Sequence, residues 1–122
     1  MPTKTEASEQ EAVIQFCEYS GIDIVHIANE GKRSMRYGAE LKRLGMRKGF
    51  PDLFVPKACK GFHGLFIELK LDITRKPTKK QLQWISKLNA EGYYATVCYG
   101  ADAAIWEIKK YFKEQENGKT QA

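Results

Sequence analysis

An α/β architecture, a mixed β-sheet flanked by helices, is what the sequence predicts. Segments with apolar residues at helical spacing alternate with short β-branched or period-two segments, in the order helix, strand, helix, strand, strand, helix, strand, helix. The 122 residues suffice for one domain with a core that needs no covalent staples. We therefore expect a single domain over residues 1–122, ordered from about 6 to 113, with a loose N-terminal arm and a C-terminal tail.

The first helix is signalled by Ser8 followed three residues later by Glu11, a capping-box spacing, and by the stripe Ala12, Val13, Phe16 and Cys17 up to Gly21. Ile22 to Ile27 has the β-branched content of a strand. Asn29 to Ser34 is a polar, glycine-containing loop, and Ser34 to Leu44 reads as a short helix with Tyr37, Leu41 and Leu44 on one face. Asp52 to Val55 is a short strand. The turn-rich Pro56 to Gly64 returns the chain as a hairpin into Leu65 to Leu71. Thr78-Lys79-Lys80-Gln81 is a second capping box, opening a helix with Leu82, Trp84, Ile85 and Leu88 apolar and Gly92 beyond its end. Tyr93 to Tyr99 then reads as a buried strand and Ala103 to Phe112 as a closing helix, with Gln115 to Ala122 fraying.

Chemistry concentrates in two of these segments. In Leu65 to Leu71 the period of two puts Glu68 and Lys70 on one face, and a carboxylate beside an amine is costly to bury in so apolar a strand unless both are satisfied. The hairpin would bring Asp52, after Pro51, near Glu68. Two carboxylates and a lysine are the minimal set for metal-assisted phosphodiester hydrolysis: the acids hold Mg²⁺ or Mn²⁺, and the lysine steadies the attacking hydroxide or the phosphoryl oxygens. The bland alternative is a solvated Glu/Lys pair on a hairpin, with Asp52 as a turn residue.

Charge supports a polyanionic partner. The net charge is only +5, but Lys32, Arg33, Arg36, Lys42, Arg43, Arg47 and Lys48 stand against the single acid Glu40 between residues 32 and 48. From Lys70 to Lys80, Lys70, Arg75, Lys76, Lys79 and Lys80 face only Asp72. Asn29, Lys32, Arg33, Arg47, Lys48 and Lys79 are read as nucleic-acid contacts, against the plainer view that the 29–34 turn needs only its Gly31. His26 reads more readily as a structural residue than as a base. Gly49 either lets the backbone approach a phosphate or punctuates a turn. The three cysteines, Cys17, Cys59 and Cys98, lack metal spacing and read as buried thiols in a reducing compartment. No apolar run approaches the ~20 residues that span a bilayer, and the acidic, polar N-terminus is unlike a signal peptide, so no membrane association is expected.

Pro51-Asp52 with Glu68-Leu69-Lys70 resembles the PD-(D/E)xK signature of restriction-endonuclease-like nucleases. The flanking Gly45-Met46-Arg47-Lys48-Gly49-Phe50-Pro51-Asp52-Leu53, with His26-Ile27-Ala28-Asn29-Glu30-Gly31-Lys32-Arg33-Ser34 before it, resembles the VRR-NUC (virus-type replication-repair nuclease) branch, over roughly Glu6 to Tyr99. The resemblance implies an αβββαβ core, here with a helix inserted after the first strand. It further implies a Mg²⁺- or Mn²⁺-dependent endonuclease acting on DNA, branched forms such as four-way (Holliday) junctions above all, as a homodimer. Asp52, Glu68 and the carbonyl of Leu69 would hold the metal, and Lys70 would assist the attacking water. Gln81 matches a glutamine used near the site in related nucleases, though its cap role explains it equally well. On the first helix, where relatives place a metal-binding Glu, we favour Gln10, through a water, over Glu6 and Glu11. A cytoplasmic location follows, the host cytoplasm if a phage encodes the protein. Two other classes stay open. One is a basic nucleic-acid-binding module on this fold without chemistry; the other is an interaction protein using Tyr93, Tyr94 and Trp106, residues more economically read as core and dimer interface.

Overall fold

In the computed structural model, residues 3–28 and 35–121 are described, with side chains for 3–28 and 37–113. Eight elements follow in chain order: α1 Glu6–Ser20, β1 Val25–His26, α2 Met35–Arg43, β2 Leu53–Val55, β3 Leu65–Lys70, α3 Lys79–Ala90, β4 Tyr94–Tyr99 and α4 Ala101–Gln121. The four strands form one sheet in the order β1-β2-β3-β4, antiparallel across the first two pairings and parallel between β3 and β4. The parallel pairing follows from α3, the crossover that returns the chain to the starting end of β3. The predicted mixed sheet between helices is thus the observed architecture.

Its central strand, β3, is buried on both faces. Leu65, Ile67 and Leu69 join Leu53, Val55 and Cys98 against Val13 and Cys17 of α1 and Ala104, Ile108 and Tyr111 of α4. Phe66 projects the other way, with Leu88 and Ala95, and Phe50, Phe54, Ile85 and Tyr93 pack around them. Phe54 and Phe66 are register partners and their rings stack at 4.4 Å. Each fully buried aliphatic side chain in these layers contributes about 1.5–3 kcal/mol of transfer free energy.

Several boundaries differ from expectation for identifiable reasons. The N-cap of α1 is Thr5, whose hydroxyl accepts from Ser8 N, while the Ser8 hydroxyl accepts from Thr5 N and completes the capping box at N3, so Ser8 is not the cap and Glu11 has no cap role. At the other end Gly21 takes the left-handed conformation (φ 72°) that a Cβ would penalise. Only Val25–His26 of the Ile22 to Ile27 run pairs, because β2 offers it so short a partner; this edge strand is exposed. Tyr94–Tyr99 is only partly covered, with Tyr99 37% exposed at its end. α4 starts two residues before Ala103 and continues through the tail expected to fray, ending at Gln121. Leu82, assigned to the apolar face of α3, is half exposed, because the helix rests on Trp84, Ile85 and Leu88 instead. Trp106 is likewise exposed, with the Lys110 ammonium 5.1 Å from its ring centroid. The 56–64 connection is closed onto α4 by the Tyr111 hydroxyl, which donates to Lys57 O at 2.6 Å.

Candidate functional site

The β2–β3 register sets the site. Leu53 pairs with Ile67, so Asp52 falls opposite Glu68, on the same sheet face as Phe54 and Phe66. The Asp52 carboxylate is held there by the backbone of its neighbour strand: Leu69 N–H donates to Oδ2 at 3.1 Å. Meanwhile Ile27 N donates to Asp52 O at 2.7 Å, tying the residue to β1 as well. Asp52 is therefore no mere turn residue after Pro51.

Glu68, 3% exposed, is the one charged or polar side chain buried among the described residues. Burying a carboxylate is costly unless charge and hydrogen bonds compensate, and both converge on Oε2. Lys70 Nζ lies 3.7 Å away, with its own side chain 12% exposed, as the period of two requires. Gln81 Nε2 donates to the same oxygen at 3.0 Å from the first turn of α3. The Gln81 amide also completes the α3 cap: its Oε1 accepts from Thr78 N at 2.8 Å, and Gln81 N donates to Thr78 Oγ1 at 3.1 Å. An ionised carboxylate only accepts and a peptide N–H only donates, so partner chemistry fixes which end of the amide faces which. The cap and site readings of Gln81 are both met by one side chain.

Gly49 explains how α3 comes so close. At φ 89°, its absent Cβ would lie 2.9 Å from Lys80 C and 3.0 Å from Gln81 N. The close approach that a glycine permits here is to the start of α3.

Other residues fall farther out. Gln10 is half-buried on α1, whose Val13 and Cys17 pack on the sheet face opposite Glu68; Glu6 and Glu11 are exposed. Arg47 is exposed, with Nη1 donating to Lys42 O at 3.0 Å and Met46 O at 3.1 Å, so it closes the C-terminal end of α2. Lys48 and Lys79 are exposed on the loop and helix start that meet at Gly49. His26 is exposed, opposite Leu53. Asn29, Lys32 and Arg33 lie outside the described residues.

One structural residue escaped the sequence reading. Glu9 Oε1 accepts the Ala101 N–H at 3.0 Å, capping α4 from 92 positions away, and nothing in the local pattern distinguishes Glu9 from Glu6 or Glu11. Its anchor lies beside the end of β3, where Gly100 N donates to Lys70 O at 2.8 Å.

Among the described residues no three His, Cys, Asp or Glu side chains are grouped to hold a metal. A buried and a half-buried carboxylate facing each other do make an oxygen donor set suited to a hard divalent cation. Mg²⁺ commonly takes only one or two carboxylates and keeps several waters or substrate oxygens. The residues present therefore fit such an ion.

The VRR-NUC domain profile matches residues 5–102 of the chain. The chain belongs to the VRR-NUC family. A solved structure described as a VRR_NUC domain protein is 31% identical and superposes with a TM-score of 0.81, covering 93% of this chain and 92% of the other. A second, described as a VRR_NUC domain, is 23% identical with a TM-score of 0.61, covering 90% of this chain and 99% of the other, and shows the shared fold. No curated protein matches the chain. As a VRR-NUC domain the chain has a nuclease-type fold, and Asp52, Glu68, Lys70 and Gln81 all lie within the matched span. None of the described helices of this VRR-NUC domain is long and apolar enough to cross a membrane.

Proposed function

We propose that this VRR-NUC domain is a Mg²⁺- or Mn²⁺-dependent endonuclease that hydrolyses phosphodiester bonds in branched DNA, four-way (Holliday) junctions included, as a homodimer in the cytoplasm of its cell or phage host. The observation that supports it is the placement of Asp52 opposite Glu68 with the Lys70 ammonium 3.7 Å from Glu68 Oε2. Asp52, Glu68 and the carbonyl of Leu69 would hold the cation; the water-mediated contact expected of Gln10 is not part of this reading, because α1 packs on the other face of the sheet. When bound, the ion supplies Lewis-acid polarisation of the phosphate and a water of lowered pKa. Lys70 would assist the attacking water and neutralise charge on the phosphoryl oxygens. The water oxygen bonds to phosphorus, its proton passing to solvent, as the ester P–O bond breaks and the departing oxygen takes a proton from solvent. Gln81 holds Glu68 in place. Arg47, Lys48 and Lys79, together with Asn29, Lys32 and Arg33, which lie outside the described residues, would provide charge and hydrogen bonds for the DNA backbone. A four-way junction has two-fold character and needs two cuts, which suits paired sites.

A second reading, a basic nucleic-acid-binding module without chemistry, draws on the two-carboxylate composition of the site. A cleavage panel separates them. Four-way, forked, flapped and linear DNA, and RNA, would be incubated with the protein and Mg²⁺, Mn²⁺ or EDTA, with Lys70→Ala as the control. The nuclease reading expects metal-dependent cuts in branched DNA that Lys70→Ala abolishes while binding persists. Tight binding with no cleavage under any metal would leave the binding module as the function.

A further inference from the structure

We propose that the cleft between α2 and α3 is a binding site for one unstacked nucleobase of the substrate; its identification as a DNA base rests on the nuclease reading above. The cleft is open to solvent, offers about 430 Å³ and is lined by Ile27, Leu41, Leu44, Met46, Phe50 and Trp84, with Arg47 the one charged residue among its lining. That volume is within the range of small-molecule sites, about 300–1,000 Å³.

The apolar edge of α2 does not close over the cleft. Leu44 is 70% exposed and Tyr37 46% exposed, so large apolar side chains stay in water beside an open apolar wall, an arrangement that marks a contact surface more often than a resting one. Two aromatic rings in contact with each other stand in that wall. Phe50 meets Trp84 edge to face at 5.0 Å with the planes inclined by 73°, and Phe50 is backed in turn by Phe66 at 5.4 Å. The inclined rings form a corner that takes a flat heterocycle, face against one ring and edge against the other.

Charge selects what carries that heterocycle. Arg47 lines the cleft, and Lys42, Arg43 and Lys48, exposed, lie within two residues in sequence of the lining Leu41, Leu44 and Arg47. Lys79 and Lys80 are exposed at the start of the helix that carries Trp84, and the acid Glu40 is 3.7 Å from Arg43. An apolar, aromatic floor with cationic residues on its flanking segments complements a base on an anionic sugar-phosphate chain.

The cleft is also joined to the carboxylates. Phe50 precedes Asp52 by two residues, and Trp84 follows Gln81 by three, so it lies one turn along the same helix face that delivers the amide to Glu68. A base seated here leads its own backbone toward Asp52 and Glu68. Bases stacked in a duplex cannot enter without paying for unstacking, whereas those at a fork or junction are already loosened. The cleft thus supplies a physical source of preference for branched DNA, which a basic surface alone lacks.

The test uses the full chain carrying Trp106→Phe, which leaves Trp84 as its single indole. In EDTA, so that no hydrolysis intervenes, it is titrated with a fork bearing unpaired bases and with the same fork made abasic at the branch nucleotides. Trp84 emission is expected to change with the first and not with the second. Leu44→Ser, an uncharged change at an exposed position, should weaken binding of the base-bearing fork about tenfold and leave the abasic fork unaffected. Equal emission changes and affinities for the two forks overturn the proposal. So does a Trp84 signal that follows protein concentration without DNA, which would make a second copy the occupant. Base-dependent binding without metal-dependent cleavage keeps the cleft and discards the nuclease reading; cleavage indifferent to the abasic change does the reverse.

Discussion

The Gln81 side chain joins two structures at once: its Nε2 donates to Glu68 Oε2 at 3.0 Å while its Oε1 accepts the Thr78 N–H at 2.8 Å. The first turn of α3 and the buried carboxylate of β3 are therefore positioned by the same amide. Helix capping and site geometry cannot be changed independently at this residue, but they can at Thr78.

Thr78→Ala removes the hydroxyl acceptor for Gln81 N and should cost about 1 kcal/mol of stability while leaving the Glu68 contact in place. Gln81→Ala removes both ends and should lower the single-turnover cleavage rate as well. Urea denaturation and quenched-flow cleavage measure the two effects. Equal rate losses in the two variants would show that the Glu68 contact carries no catalytic weight.

Lys70→Met leaves the buried Glu68 without the ammonium 3.7 Å from its Oε2. Breaking one side of a buried pair is expected to cost about 3 kcal/mol, and loss of a positioned charge should slow cleavage roughly 100-fold or more. Lys70→Arg should recover stability better than rate, because a planar guanidinium does not reproduce a compact ammonium. Recovery of full activity by Lys70→Arg would reduce the role of Lys70 to charge balance.

Gly49→Ala forces a side chain into a left-handed backbone and onto Lys80 C and Gln81 N. A loss of about 1–3 kcal/mol is expected, with the start of α3 displaced and the Gln81–Glu68 contact lengthened. Denaturation midpoints check the first part and a structure of the variant the second. A fully stable, fully active variant would mean that the 45–50 loop gives way without moving α3.

Burial pushes the Cys98 thiol up to about 12, with Glu107 adding to the shift, and burial alone pushes Cys17 up to about 11. Burial likewise raises the Tyr111 hydroxyl to about 12, with the charge of Cys59 adding to the shift and a hydrogen bond to the Cys59 backbone opposing it. A raised folded-state pKa means that the native chain holds its proton more tightly than the unfolded chain. The corresponding stability is complete below the unfolded values near 9–10 and is lost as pH rises toward 11–12. Urea midpoints should therefore fall between pH 9 and 11, less steeply in Cys98→Ala. At neutral pH both thiols should resist iodoacetamide until the protein unfolds. A flat stability profile to pH 11 would contradict this.

Much of the site was legible because its signals are local. The alternation in Leu65 to Lys70 puts Glu68 and Lys70 on one face at any strand position, and their 3.7 Å contact follows from that periodicity. Thr78 and Gln81 are three residues apart in a pattern whose hydrogen bonds close within one helical turn. Where a local pattern had two solutions, sequence favoured the wrong one: Thr5 and Ser8 are both good caps, and one turn of chain separates them.

Beyond the hairpin that sets Asp52 opposite Glu68, relationships between distant segments were not legible. The capping of α4 by Glu9, the pressing of Gly49 against α3 and the open cleft beneath α2 each depend on how packed layers settle against each other. The burial of β3 on both faces is of the same kind, since alternation assigns a side chain to a face without saying whether that face will be covered. Local pattern thus chose the elements and the chemistry-bearing residues, whereas partners and solvent exposure were set by long-range packing, because a contact free energy between segments belongs to neither segment alone.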